Sequence, residues 1–210
     1  MESHEMSSSE RCIWHWKAPN FMGTHIVDLY TLRMLSPERF KAASAKYLTT
    51  TLRRLLLVNN PIPILDVIWN EAIHTSTVHP QKIHDAKRAA GVPVDPIEYF
   101  EIPVEKLKEH EAVVWSPDSG LWLKLTVILN VLLRALGLTR WLVQSDYARL
   151  DINTWRALEA VPEPTLRAYK AWGEEIRAGG APQILTYINV PHVFVKGSIP
   201  IEGLKVIRIE

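Results

Sequence analysis

The sequence predicts a mainly α fold. It reads as a single helical-bundle-like domain over residues 24–180, with an extended N-terminal arm over 1–23 and a small C-terminal antiparallel β appendage over 181–210. Three observations lead there. Residues 121–143 are almost continuously apolar. Wound at about 100° per residue, Thr126, Asn130, Arg134, Gly137, Arg140 and Gln144 share one narrow stripe, the pattern of a nearly buried central helix. Proline and glycine punctuate the preceding chain at helix-like intervals, and beyond Pro182 the pattern changes to short runs rich in Ile and Val.

Taken in order, residues 1–23 contain Ser7, Ser8, Ser9, Pro19 and Gly23 and read as an arm. A short helix is expected over 24–35. Ser36 before Pro37 supplies an N-cap and a first-turn proline, so the next helix starts there and runs to about Val58, stopped by Asn59, Asn60 and Pro61. Its Leu48, Leu52, Leu55 and Leu56 share a face. A further helix is expected over 63–75, where Ile64, Leu65, Val67, Ile68, Ala72 and Ile73 are apolar. Residues 80–90 form a polar helix closed by Gly91. Asp95, Pro96, Ile97 and Glu98 have the order of a capping box, opening a helix or helix pair broken by Pro103.

A turn over 116–120 precedes the long apolar helix, which Gly137 can divide at a C-cap. Helices then follow over 140–150, 153–160 and 163–178, the last ended by Gly179 and Gly180. In the tail, 184–190, 192–196 and 204–209 read as strands of a small sheet or meander. The last of these is able to pair with a neighbouring chain.

Composition narrows the class. Apolar residues make up 47% and charged residues 22%, which excludes disorder. One cysteine, Cys12, excludes an internal disulfide framework and a cysteine zinc cage, and fits a reducing compartment. Gln and Met are scarce and Pro is plentiful, a usage seen in proteins from hot environments. The first residues are acidic and Ser-rich with no apolar run behind them, so no secretory signal is expected and the location is intracellular or a virion. Lys124, Asn130, Arg134 and Arg140 make a stable transmembrane span through 121–143 too costly to expect.

The net charge of +1 hides a polarised chain: residues 11–65 carry +6, opposed only by Asp28 and Glu38, while the first ten carry −3 and the rest −2. Concentrated positive charge attracts phosphate-rich partners at long range. On the helix begun at Pro37, Arg39, Lys46 and Arg53 recur every seven residues with Thr50 between the last two, a cationic line roughly opposite the leucines, with Arg54 adjoining it. Ahead of it, Arg11, Trp14, Trp16 and Lys17 interleave rings with cations, as arms that stack on bases do. These nine residues are the expected nucleic-acid contacts, made to the backbone since no base-reading motif is present. A solvated helix face, and tryptophans strapping the arm to its own core, are the bland readings of the same residues.

Catalytic constellations are thin. Glu71 and His74 have an E-x-x-H spacing that suits a di-iron bundle, but no second copy exists. His74, His79 and His84 recur every five residues across Pro80, which breaks a common face. Cys12 near His15 lacks the supporting groups of a nucleophile pair. No phosphate loop, dinucleotide fingerprint or zincin motif occurs. No catalytic residue, metal or cofactor is therefore expected.

The expectation is a non-enzymatic structural protein that associates with copies of itself and packages or coats DNA or RNA, in the manner of a viral coat protein or nucleoprotein. Two alternatives stand beside it. One is a small enzyme with an inter-helical pocket using Glu71, His74 or His110; the other is an accessory subunit that docks through its eight tryptophans.

Overall fold

The computed structural model describes residues 11–48, 61–62, 64–116, 147–182 and 187–210. In chain order its elements begin with strands β1 (Cys12–Lys17) and β2 (His25–Ile26), helices α1 (Leu29–Leu35) and α2 (Pro37–Leu48), and strands β3 (Pro61–Ile62), β4 (Val67–Ile68) and β5 (Ala72–Ser76). Helix α3 (Pro80–Ala89), β6 (Ile97–Pro103), β7 (Ala112–Trp115), β8 (Tyr147–Arg149), α4 (Glu163–Arg177), β9 (His192–Lys196), β10 (Ile199–Pro200) and β11 (Lys205–Ile209) complete them. Seven strands form one antiparallel sheet in the order β11-β6-β1-β5-β9-β7-β8, and two small ribbons pair β10 with β2 and β3 with β4.

This sheet overturns the expected mainly α bundle with its arm and appendage. The supposed arm contains β1, an interior strand hydrogen-bonded between β6 and β5. Two of the expected C-terminal strands form, at His192–Lys196 and Lys205–Ile209, but not as a separate meander: β9 lies between β5 and β7, while β11 pairs with β6 at one edge. The helix expected over 63–75 is instead β4, a 3-10 turn at Trp69–Glu71, and β5. Asp66 turns the chain there with φ at 53°, a conformation that breaks a helix. The capping box at Asp95 does not form, because 97–103 is β6, with Pro103 at the strand end where its missing N–H costs nothing.

No helix covers 153–160 either. The Asp151 carboxylate accepts hydrogen bonds from the Asn153 N–H at 2.9 Å and the Thr154 hydroxyl at 2.9 Å, closing a turn. Where capping chemistry was explicit the helices form as read: α2 begins at Pro37, and α3 and α4 end before Gly91 and Gly179, both with positive φ. The long run 121–143 lies outside the described residues. No helix among the described residues is long and apolar enough to cross a membrane.

Register places each side chain. Directly paired residues project to the same side, so Cys12, Trp14, Trp16, Tyr99, Glu101, Ile207, Ile209, His74, His192, Phe194 and Trp115 share one face. The opposite face presents Ile13, Phe100, Ile102, Ile73, Val193, Val195 and Ala112. Both faces are covered. The second packs on Ile26, Val104, Leu107 and Ile199. The first packs on Ile62, Leu65 and Trp69 at one end and at the other meets α3, where the His79 ring touches Trp14 and the His84 ring faces Tyr99. A sheet buried on both sides loses the apolar–polar alternation that marks a half-exposed strand.

Candidate functional site

The nine expected nucleic-acid contacts separate into two groups. Arg11 adjoins β1 and is held by the Glu105 carboxylate at 2.6 Å and by the carbonyls of Ile152 at 2.7 Å and Asn153 at 3.2 Å. Trp14 is 1% exposed, donates from Nε1 to Glu101 Oε2 at 3.4 Å, and meets the His79 ring edge-on at 5.1 Å. Trp16 packs partly buried beside it. Lys17 pairs with Glu98, and that hydrogen bond holds the Glu98 carboxyl below the usual carboxylate range. The interleaved rings and cations are thus the two faces of one strand: Trp14 and Trp16 enter the core beneath α3, and Lys17 points the other way.

Arg39 stands apart on α2, where its Nη1 donates to the Met22 carbonyl at 2.7 Å and its guanidinium lies 5.9 Å from the Phe21 ring centre. Thr50, Arg53 and Arg54, and the side chain of Lys46, lie outside the described residues.

Around Arg39 the surface has a character that charge counting missed. Helix α1 is capped by Asp28, whose carboxylate accepts from the Thr31 N–H at 2.8 Å and the Thr31 hydroxyl at 2.6 Å. No residue of α1 is buried. Met22, Met34 and Leu35 are 76%, 72% and 71% exposed, and Tyr30 is also exposed. Arg33 lies over the Phe40 ring at 5.7 Å. Among the described residues, Arg33, Arg39 and Lys41 pair with no carboxylate. The available signal was α1 itself: Leu29, Tyr30, Leu32, Met34 and Leu35 are more apolar residues than one face of a seven-residue helix can bury.

The other sequence candidates are dispersed. Glu71 accepts the Ile68 N–H at 3.0 Å, and His74 Nε2 is 2.6 Å from the Trp69 carbonyl, so the two serve the 3-10 turn and β5 instead of one helix face. His110 is partly buried just before β7. Cys12 and His15 alternate to opposite faces of β1. Burial, reinforced by Glu101, pushes the Cys12 thiol up to about 11, leaving almost no thiolate at neutral pH. Among the described residues no group of three or more His, Cys, Asp or Glu is placed to hold a metal ion.

Buried histidines give the fold a pH dependence. His192 sits among the rings of Trp69, His74, Trp115, Tyr187 and Phe194, with Nδ1 2.5 Å from the Val190 carbonyl. Burial, with His74 adding to it, lowers its pKa to about 3, and burial lowers that of His84 to about 4. The unfolded chain takes up these protons near 6.5, whereas the folded chain refuses them. Their contribution is therefore fully present above about pH 6.5 and is lost as pH falls from there toward 4 and 3. Urea midpoints measured from about pH 7.5 to 4.5 are expected to fall steadily, and His192→Phe is expected to flatten the profile. A variant slope equal to the parent's would show that His192 is not responsible.

Comparison with protein-family models, with curated proteins and with solved structures finds no match.

Proposed function

We propose that the chain is a non-enzymatic structural subunit that associates with copies of itself through the α1 surface. One observation carries this reading: a helix with no buried residue displays Tyr30, Met34 and Leu35, with Met22 exposed nearby. Large apolar side chains scattered singly are ordinary, but a cluster of them is the usual mark of an interaction surface. A second copy is the occupant best suited to it. An apolar patch is self-complementary across a two-fold axis, and Glu38 beside Arg33, Arg39 and Lys41 provides rim charges of both signs. The sheet edge at β11 is a weaker candidate, since it carries Lys205 and Arg208, charges that discourage edge-to-edge pairing.

Light scattering during size-exclusion chromatography tests this. The parent chain is expected to elute as a dimer or larger, and Met34→Glu with Leu35→Glu is expected to shift it to monomer without changing the unfolding free energy of the protomer, measured where the parent is dissociated, by more than about 0.5 kcal/mol, as suits exposed positions. A parent monomer at all concentrations, or an unaltered oligomer in the double variant, would sink the proposal.

Nucleic-acid coating is a second reading, supported by Arg33, Arg39 and Lys41, which meet no carboxylate among the described residues. It moves the contact from β1 to α2. Salt-dependent binding of a labelled oligonucleotide is expected to weaken on changing Arg39, Lys46 and Arg53 together to Glu, with a shallower salt slope. Binding that is absent even at low salt, or untouched by the triple change, would eliminate it.

A further inference from the structure

Lys87, on α3, is only 6% exposed. Among the described residues it meets no carboxylate; its ammonium lies over the Tyr169 ring, 5.6 Å from the centre. His84 stands three residues earlier on the same helical face, buried, with its ring edge-on to Tyr99 at 6.4 Å. His84 Nδ1 and the Tyr169 hydroxyl are both buried, and among the described residues neither has a hydrogen-bond partner. Burial pulls the Lys87 pKa down to about 8, so the amine is still mostly charged at neutral pH, and the imidazole, with its pKa near 4, is neutral there. Buried polar atoms are nearly always satisfied and buried cations nearly always paired, because the interior cannot replace water for them. Here two such atoms, on two packed helices, are left in need beside a buried ammonium.

We propose that Lys87, His84 and Tyr169 bind a small monocarboxylate between α3, α4 and β6. A carboxylate has two oxygens with about four acceptor positions, enough for an ammonium, a phenol and an imidazole N–H together. The site supplies one positive charge, which one carboxylate neutralises. A phosphate dianion would bury a second, uncompensated charge, an expensive arrangement in a low-dielectric interior. Arg88 does not change this count, since it is exposed and pairs with Asp85 at 3.5 Å. The site is interior and independent of the α1 surface, so either proposal can fail alone.

Sodium acetate is the probe, applied to the full chain at neutral pH with sodium chloride of equal ionic strength as the reference. Acetate is expected to raise the thermal midpoint along a saturating curve that chloride does not reproduce. Lys87→Met keeps the buried stem and removes the charge. It is expected to raise the half-saturating acetate concentration at least about tenfold, and Tyr169→Phe, which keeps the ring, about threefold or more, as loss of one charged or one neutral hydrogen bond implies. If Lys87→Met does not fold, the near-isosteric Tyr169→Phe carries the test. Equal responses to acetate and chloride, or an unchanged response in the variants, would overturn the proposal. So would an ordered water only on His84 and Tyr169 in crystals grown with acetate.

Discussion

Trp14→Ala is expected to lower the free energy of unfolding by about 3–5 kcal/mol, the range for emptying a large aromatic site in a packed core. The indole lies between Cys12, Tyr99 and Ile209 on the face covered by α3, and its 1% exposure leaves no solvent path by which the cavity could fill. Its Nε1 donates to Glu101, a carboxylate itself only 9% exposed, so truncation also removes a donor from a nearly buried charge. Lys205 at 3.4 Å remains to hold that carboxylate, which keeps the loss from going further. The same substitution on an exposed strand or a mobile arm would cost within about 0.5 kcal/mol. Denaturant unfolding of the variant therefore separates the two placements by several kcal/mol, and a loss under about 1 kcal/mol would contradict β1 as an interior strand. Trp14→Phe, which retains most of the ring volume, is expected to recover more than half of the loss.

What hides β1 in the sequence is its charge, not its composition. Cys12–Lys17 is six residues long, rich in aromatic and β-branched side chains, and free of Gly and Pro, all of which favour a strand. Charge masks that signal: Arg11 and Lys17 pair not with a sequence neighbour but with Glu105 and Glu98, 94 and 81 residues away. Such pairing is set by the order of strands in the sheet, which no local pattern contains. The same holds for β5 and β9. Burial on both faces removes alternation from β5, where Ala72 and Ile73 are followed by His74, Thr75 and Ser76 and mark neither period. By contrast β9, with Val193, Phe194 and Val195, reads as a strand but not as the neighbour of β5. What was legible is what local chemistry decides. Ser36 with Pro37 starts α2, Pro80 starts α3, and Gly91 and Gly179 follow the last turns of α3 and α4. The exposed surface of α1 was half legible: its apolar excess is in the sequence, but only the packing reveals that none of it is buried. The buried cluster of Lys87, His84 and Tyr169 had no sequence signal, since a lysine and a histidine three apart on a polar helix normally face water.

Gly173→Ala is expected to destabilise the protein by about 2 kcal/mol or more, against the direction that helix propensity alone demands. Alanine in a helix interior is favoured over glycine by about 1 kcal/mol, and Gly173 lies within α4 with no positive φ to excuse it. Its reason is contact. A Cβ at this position would stand 1.8 Å from the Ala90 carbonyl oxygen and 2.9 Å from its carbon. Those are backbone atoms at the C-terminal end of α3, so no side-chain rotation relieves the clash; the two helices must separate by more than 1 Å, the difference between 1.8 Å and the shortest real Cβ contacts near 3.0 Å. Overpacking of this kind costs about 1–3 kcal/mol where side chains yield, and more where backbone must. Tyr169 lies one turn earlier on α4, over Lys87 of α3, so the separation also lifts the ring from the ammonium. Ala171→Gly, at an exposed position of the same helix, provides the contrast, since it loses propensity and nothing else, about 1 kcal/mol. Thermal and urea unfolding of the two variants decides the matter. A Gly173→Ala protein as stable as the parent, or more so, would mean that α3 and α4 do not approach through this glycine.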